Sequence, residues 1–196
     1  MKKLLLTLTA VSALSLAANA QTSKGTFLVG GSVSYEGTTI KDSDAKNNSF
    51  AIVPQLGYFV ADNIAVGTGI GYNWAETESD AGVKNTNNAF QLAPFGRIYS
   101  QNDGPVKFYG QLSVPMSWGT TKVDGDKTGT TAKYGVELAP GLAFFPTSNI
   151  GIDFRVKGLY FNSNNTEPTG GEKTTVSTYG LNASSLTPTV GVTFHF

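Results

Sequence analysis

The chain has no cysteine. It therefore has no disulfide, no thiolate metal ligand and no N-terminal thiol for a lipid anchor. Histidine is nearly absent as well, His195 being the single one in 196 residues. A Cys/His zinc set lacks its parts, and a nucleophile–His pair would have only His195 to use. Charge is sparse: 14% of residues are charged, against about 25% in an ordinary soluble domain. Lys+Arg 14 balances Asp+Glu 14, which gives no electrostatic case for nucleic acid or acidic partners. Beyond the first twenty residues, no apolar run approaches the ~20 residues of a transmembrane helix. What the chain does have is 23 glycines and 11% aromatic residues, a composition that suits all-β architecture and not a helical bundle.

The first twenty residues read as a targeting segment. Lys2 and Lys3 give a positive start, 4–16 is largely apolar and uncharged, and Ala18-Asn19-Ala20 is an A-x-A cleavage site. The expected organisation is a signal peptide over 1–20, cut between Ala20 and Gln21, and one domain over 21–196.

The rest of the chain alternates apolar and polar residues with the period of a strand. The last segment is the clearest. Pro188, Val190, Val192, Phe194 and Phe196 share one face, and Thr189, Gly191, Thr193 and His195 the other. The same pattern predicts strands over 25–35, 49–60, 64–74, 88–99, 106–118, 132–145, 150–161 and 179–196. In 150–161 it puts Val156 and Tyr160 on the apolar face and Phe161 opposite. Each predicted strand is close to the 9–11 or so residues that cross a bilayer at a tilt. Short turns at 61–63, 101–104 and 146–149 alternate with polar loops at 36–48, 76–87, 119–129 and 162–177. Short turns on one side and long loops on the other are the habit of outer-membrane barrels. The pattern predicts an eight-stranded antiparallel up-and-down transmembrane β-barrel of meander topology, with both termini at the short-turn, periplasmic side. Its competitor is a soluble periplasmic β-protein, which would have to bury every outward Phe, Ile, Val and Leu under a second layer. Pro54, Pro94, Pro140 and Pro188 fall on the apolar face and Pro115 on the inner one, where bulges or bends are expected.

Four stretches resemble a known family: Phe50-Ala-Ile-Val-Pro-Gln-Leu-Gly-Tyr-Phe59, Asn63-Ile-Ala-Val-Gly67, Pro94-Phe-Gly-Arg-Ile-Tyr99 and Val192-Thr-Phe-His-Phe196. They are similar to the small outer membrane protein beta-barrel domain or porin-like family, which includes OmpX-like barrels and the OmpA transmembrane domain. The resemblance implies an eight-stranded barrel in the cell outer membrane. It also implies that Phe194 and Phe196 act as a C-terminal recognition signal for the barrel-assembly machinery. It does not imply one activity. No peptidoglycan-binding domain follows Phe196 in this sequence, so cell-wall anchoring is not carried over. Expected partners are outer-membrane lipid, the assembly machinery and periplasmic chaperones during export, and the expected state is a monomer.

A barrel of eight strands has an interior that side chains fill. The inward set includes Phe59, Phe95, Tyr99, Tyr109, Gln111 and Phe161, and the charges Arg97, Lys107, Lys133, Glu137, Asp153, Arg155 and Lys157. Buried charges must pair, so Glu137 and Asp153 are expected to bind cations on neighbouring strands. The reading is an ion-paired plug in a structural or surface-interacting protein; the alternative is a narrow porin-like channel. No catalytic, cofactor or metal site is expected. His195 is an inner-face residue near the chain end. Glu76, Glu78, Asp80, Asp124 and Asp126 are loop carboxylates without a base or nucleophile beside them. Asp124-Gly125-Asp126 falls short of a calcium loop. Gly67-Thr68-Gly69-Ile70-Gly71 lacks the strand–turn–helix setting of a phosphate loop. The polar loops are poor in the aromatic residues that usually anchor partners. Tyr35, Tyr72, Trp74 and Trp118 near the loop ends, and Tyr58, Phe144, Phe194 and Phe196 near the turn ends, are the expected interfacial aromatics.

Overall fold

The computed structural model of the chain describes residues 21–39, 43–182 and 189–196. The proposed leader through Ala20, the loop residues Lys41 and Asp42, and Pro188 lie outside these residues. Among the described residues, eleven strand segments build eight staves of one antiparallel barrel. They are β1 (Phe27–Thr39), β2 (Lys46–Ala61), β3 (Ile64–Glu78) and β4 (Lys84–Tyr99), then β5 (Val106–Ser113) with β6 (Met116–Val123). β7 (Asp126–Phe144), β8 (Ile150–Arg155) with β9 (Gly158–Pro168), and β10 (Thr174–Asn182) with β11 (Thr189–His195) complete the set. Each stave pairs with its neighbours in sequence, and β11 closes on β1 from Leu28↔His195 to Gly31↔Val192. Phe27 and Phe196 lengthen that seam by exchanging backbone hydrogen bonds of 2.8 and 3.0 Å.

The seam explains why its strand carries small residues. A Cβ on Gly30 would lie 2.8 Å from Thr193 Cγ2 and 2.9 Å from the Val192 carbonyl. Glycine there lets the first and last strands approach to ladder distance.

The staves outrun the predicted strands. β2, β3 and β4 hold 16, 15 and 16 residues, and the stretches expected as long loops are mostly the continuing arms of hairpins. Asp124 (φ 49°) and Gly125 (φ 94°) form a two-residue reversal between β6 and β7. Asp-Gly is a strong hairpin signal because both central residues of a type I′ turn need positive φ. The loop expectation failed here because polarity ends the apolar belt, not the hydrogen-bonded ladder. Above the belt both faces are wet, and Thr, Ser and Asn still accept extended backbone. Between β1–β2 and β3–β4, the Ser43 hydroxyl and then the Ala45 amide hold the Asp80 carboxyl below the usual carboxylate range.

The prolines do not all act as bends. Pro115 separates β5 from β6, yet the register against β4 is unchanged on either side of it. Pro94 sits opposite Thr68 in an uninterrupted β3–β4 register. The break that matters lies at Val156–Lys157, beside Pro140. Gly141 faces Arg155 and Leu138 faces Leu159, so three steps along β7 meet four along β8–β9. One extra residue makes a bulge and reverses the faces beyond it. Leu159 and Phe161 are therefore outward and exposed, with Tyr179 and Leu181 beside them. Phe161 was expected inside and Tyr160 outside; both are corrected by this bulge. Gly158, at φ 69°, is its hinge.

The outer surface is an apolar belt. Val29, Leu56, Ile70, Phe108, Leu112, Val136 and Val192 are all exposed along it. At the short-turn end the interior is apolar: Leu28, Phe59, Ala65, Tyr99, Tyr109, Ala143 and Phe145 form a buried cluster. Leu28, an apolar residue on the otherwise small or polar inner face of the first strand, belongs to this floor. Glycines admit its large neighbours. Gly141 lies under the Tyr109 ring, and a Cβ on Gly67 would come within 2.7 Å of Phe95 Cζ. The N-terminal segment laces under the same end: Thr22 Oγ1 donates to Asn63 Oδ1 at 2.6 Å and the Gly25 amide to the Phe59 carbonyl at 2.9 Å.

Candidate functional site

The lumen is organised by Arg97 on β4, which is 2% exposed. A guanidinium offers five N–H donors in a planar fork and stays charged, so burial requires partners on several sides. Its Nε donates to Gln111 Oε1 at 2.9 Å, and Nη1 donates to Tyr99 Oη at 2.8 Å and to Asp153 Oδ2 at 2.6 Å. The Tyr109 ring covers it, with its centroid 4.3 Å from Cζ. Asp153 stands on β8, three staves on from β4. Gln111 on β5 faces Arg97 and Ala139 on β7 faces Gln111, while Asp153 faces Ala143 further along β7. The pair spans the lumen instead of joining neighbouring strands.

Below this layer the aromatic floor is continuous. Tyr99 lies 5.7 Å from Phe59, 5.4 Å from Tyr109 and 6.4 Å from Phe145, ring centre to ring centre. His195 is 1% exposed and sits edge-on to Phe145 at 5.1 Å. It is a packed floor residue. Beside the ion pair is a cavity of about 30 Å³ lined by Gln55, Arg97, Tyr109, Asp153, Arg155 and Thr193, among others. Asp153 Oδ1 is buried there without a protein donor, and a space of this size admits a water molecule.

The other predicted charges do not join Arg97 and Asp153. Among the described residues, the ion pairs closer than 4 Å are Arg97–Asp153 and the surface pair Lys84–Glu78 at 3.8 Å. Lys107 turns to the short-turn rim, donating to the Asn102 carbonyl at 2.8 Å and to Asn63 Oδ1 at 3.3 Å. Lys157 lies 3.9 Å from the Tyr160 ring centre. Lys133 is exposed toward the long hairpins, while Glu137 and Arg155 are half-buried. Of the expected seven charges, Arg97 and Asp153 form the buried ion pair, and Glu137 faces the charges of Arg155 and Lys157 without an ion pair closer than 4 Å. Alternation identified which side chains face inward, but not the distance between staves that a long guanidinium can bridge.

Toward the long hairpins the lumen widens into a cup of about 320 Å³, lined by Gln91, Ser117, Lys133, Asn162, Asn164 and Thr178, with Pro115 and Met116 on one wall. Strand-period reading missed the Asn162, Asn164 and Thr178 part of it, having placed Asn162 and Asn164 in the 162–177 loop and left Thr178 outside the strand predicted from 179. The signal available was Gly158, a glycine inside an otherwise regular strand.

The aromatics expected at interfaces face out or lie half-exposed. Tyr35, Tyr72 and Trp118 are exposed in the long-hairpin half, and Trp74 is half-buried there. Tyr72 Oη donates to Asn88 Oδ1 at 3.2 Å, and Trp118 Nε1 donates to Tyr134 Oη at 3.2 Å. Tyr58, Phe144 and Phe194 are exposed near the short turns, with Phe196 stacked on Phe194 at 6.4 Å.

A closed barrel with an apolar outer belt and a polar interior suits a bilayer. Residues 6–194 match the family described as "Outer membrane protein beta-barrel domain". The chain belongs to that family. Two solved structures share its fold. Neisserial surface protein A is 12% identical with a TM-score of 0.52, covering 88% of this chain and 98% of its own. OprG from Pseudomonas aeruginosa is 14% identical with a TM-score of 0.53, covering 91% of this chain and 99% of its own. No curated protein matches the chain by sequence. As an outer-membrane barrel, the protein carries its apolar belt against lipid and keeps its backbone groups paired within the sheet.

Proposed function

We propose that the protein is a non-catalytic, non-conducting outer-membrane barrel that presents long polar hairpins at the cell surface. The observation that carries this reading is the Arg97 layer above the aromatic floor, which fills the bore with packed side chains. A barrel of about eight strands has little bore to spare. Its termini and short turns face the periplasm in this reading, and the monomer is the working unit. Purified protein in planar bilayers should give no reproducible conductance steps. Steps that disappear on Arg97→Ala or Asp153→Ala substitution would overturn the plug in favour of a narrow channel.

The C-terminal end supports a second part of the reading. Phe194 faces outward, Phe196 stacks on it, and Phe196 completes the β1 seam. An exposed aromatic pair on the closing strand suits recognition by the assembly machinery before closure, with periplasmic chaperones holding the unfolded chain. Deleting Phe196 should leave export intact and lower the folded, heat-modifiable fraction in outer-membrane preparations. Restoring Phe196 as Tyr should recover it. Normal assembly of the deletion would remove the recognition role.

A further inference from the structure

We propose that the cup above the Arg97 layer binds a small, hydroxyl-rich monocarboxylate of the sugar-acid class. The proposal deepens the surface-interaction reading and rests on the lumen being blind at the short-turn end. Ladder pairing sets four inner-face residues in one row across four staves: Gln91 faces Ser117, Ser117 faces Lys133, and Lys133 faces Asn164. Neighbouring strands lie roughly 4.8 Å apart, so the row offers an amide, a hydroxyl, an ammonium and a second amide at regular intervals. One step toward the plug, Gly135 faces Asn162, which faces Thr178. Gly135 is where the space comes from: a Cβ there would lie 2.5 Å from Asn162 Oδ1 and 3.4 Å from Pro115 Cγ.

The chemistry of the lining selects the ligand. Lys133 is its one charged side chain, and no carboxylate of the described residues comes within 4 Å of it. An unpaired ammonium in a walled cup favours a single negative charge. A phosphate dianion or an acidic oligomer would find too few cations. Around the ammonium stand three carboxamides and two hydroxyls, groups that both donate and accept and so match ligand hydroxyls. Asn73 Nδ2 donates to Gln91 Oε1 at 3.0 Å, which orients the Gln91 amide. The Pro115 ring, 3.4 Å from where a Gly135 Cβ would lie, gives an apolar patch for the carbon face of a ring. The volume lies at the low end of small-molecule sites, about 300–1,000 Å³, which fits a single sugar ring.

Calorimetric titration of the full-length folded barrel in detergent micelles tests this with glucuronate, glucose and acetate. Glucuronate should bind about tenfold tighter than glucose, the worth of one charge-assisted hydrogen bond, and tighter than acetate, which lacks the hydroxyls. Lys133→Gln should bring glucuronate down to the glucose level, and Gly135→Leu should abolish binding of both sugars. Heat-modifiable mobility checks that each variant is folded. Equal binding of glucuronate and glucose, equal binding of glucuronate and acetate, no binding of any probe, or unchanged preference in Lys133→Gln would each overturn the proposal. The plug stands or falls separately: absent binding with silent bilayers rejects the cup alone, and binding with open-channel steps rejects the plug alone.

Discussion

Replacing Asp153 with Leu should cost the barrel about 3–5 kcal/mol, the usual penalty for stranding one member of a buried ion pair. Arg97 cannot shed its charge, and no other carboxylate of the described residues lies within 4 Å of it. Gln111 and Tyr99 still offer oxygens to Nε and Nη1, but neutral acceptors replace only part of the attraction. Removing both charges together, as Arg97→Met with Asp153→Leu, should restore most of the loss, because apolar side chains of similar volume commonly substitute for a buried pair without cost. Arg97→Lys should not rescue anything. An ammonium cannot reproduce the Nε bond to Gln111 and the stack on Tyr109 at once. Urea titration of each variant in lipid vesicles, followed by the heat-sensitive mobility shift, measures the differences. If Asp153→Leu melts within about 1 kcal/mol of the wild type, well short of that penalty, the ion pair is not what holds the lumen.

Much of this architecture is legible in the sequence, and the reasons are physical. Strand alternation survives in the apolar belt because lipid outside and packed side chains inside impose opposite demands on consecutive residues. The seam is legible for the same reason: Val192 and Phe194 need lipid while Thr193 and His195 need the lumen. Where both faces are wet, the demand disappears and the pattern fades. Thr120, Thr121, Asn164 and Thr175 all lie in strands that carry no alternation of polarity. Only turn chemistry marks them, and the reading of 119–129 as a polar loop passes over the Asp124-Gly125 hairpin signal. The Arg97–Asp153 pair was half legible. Sequence period put both residues inside, but their meeting depends on the narrowness of the bore, which is not a local property. The face reversal after Arg155 was the costliest omission, because a single bulge moved Phe161 from the lumen to the lipid and brought Asn162 and Asn164 into the cup.

That bulge makes Gly158 the position where one side chain should do most damage. Its φ of 69° lies in the left-handed region, where an L-residue costs about 1–2 kcal/mol and a β-branched one more. A Cβ there would also strike the Leu138 carbonyl and lie 2.8 Å from Pro140 Cδ, atoms of a neighbouring strand that cannot move aside without breaking ladder bonds. Overpacking of this kind adds about 1–3 kcal/mol. Gly158→Val should therefore cost about 2–5 kcal/mol in the vesicle titration, while Gly158→Asn, which tolerates positive φ, should cost less. The larger consequence is in register. If the chain escapes the strain by losing the bulge, every residue from Leu159 to Pro168 changes face. Tyr160 and Asn162 would then meet lipid, and Phe161 would enter the cup. Cysteine placed at Phe161 reports on this directly. In the wild-type background a membrane-partitioning maleimide should label it and a water-soluble one should not, and Gly158→Val should reverse the two. Unchanged labelling with unchanged stability would show that the bulge tolerates a side chain and that Gly158 does not set the faces of β9.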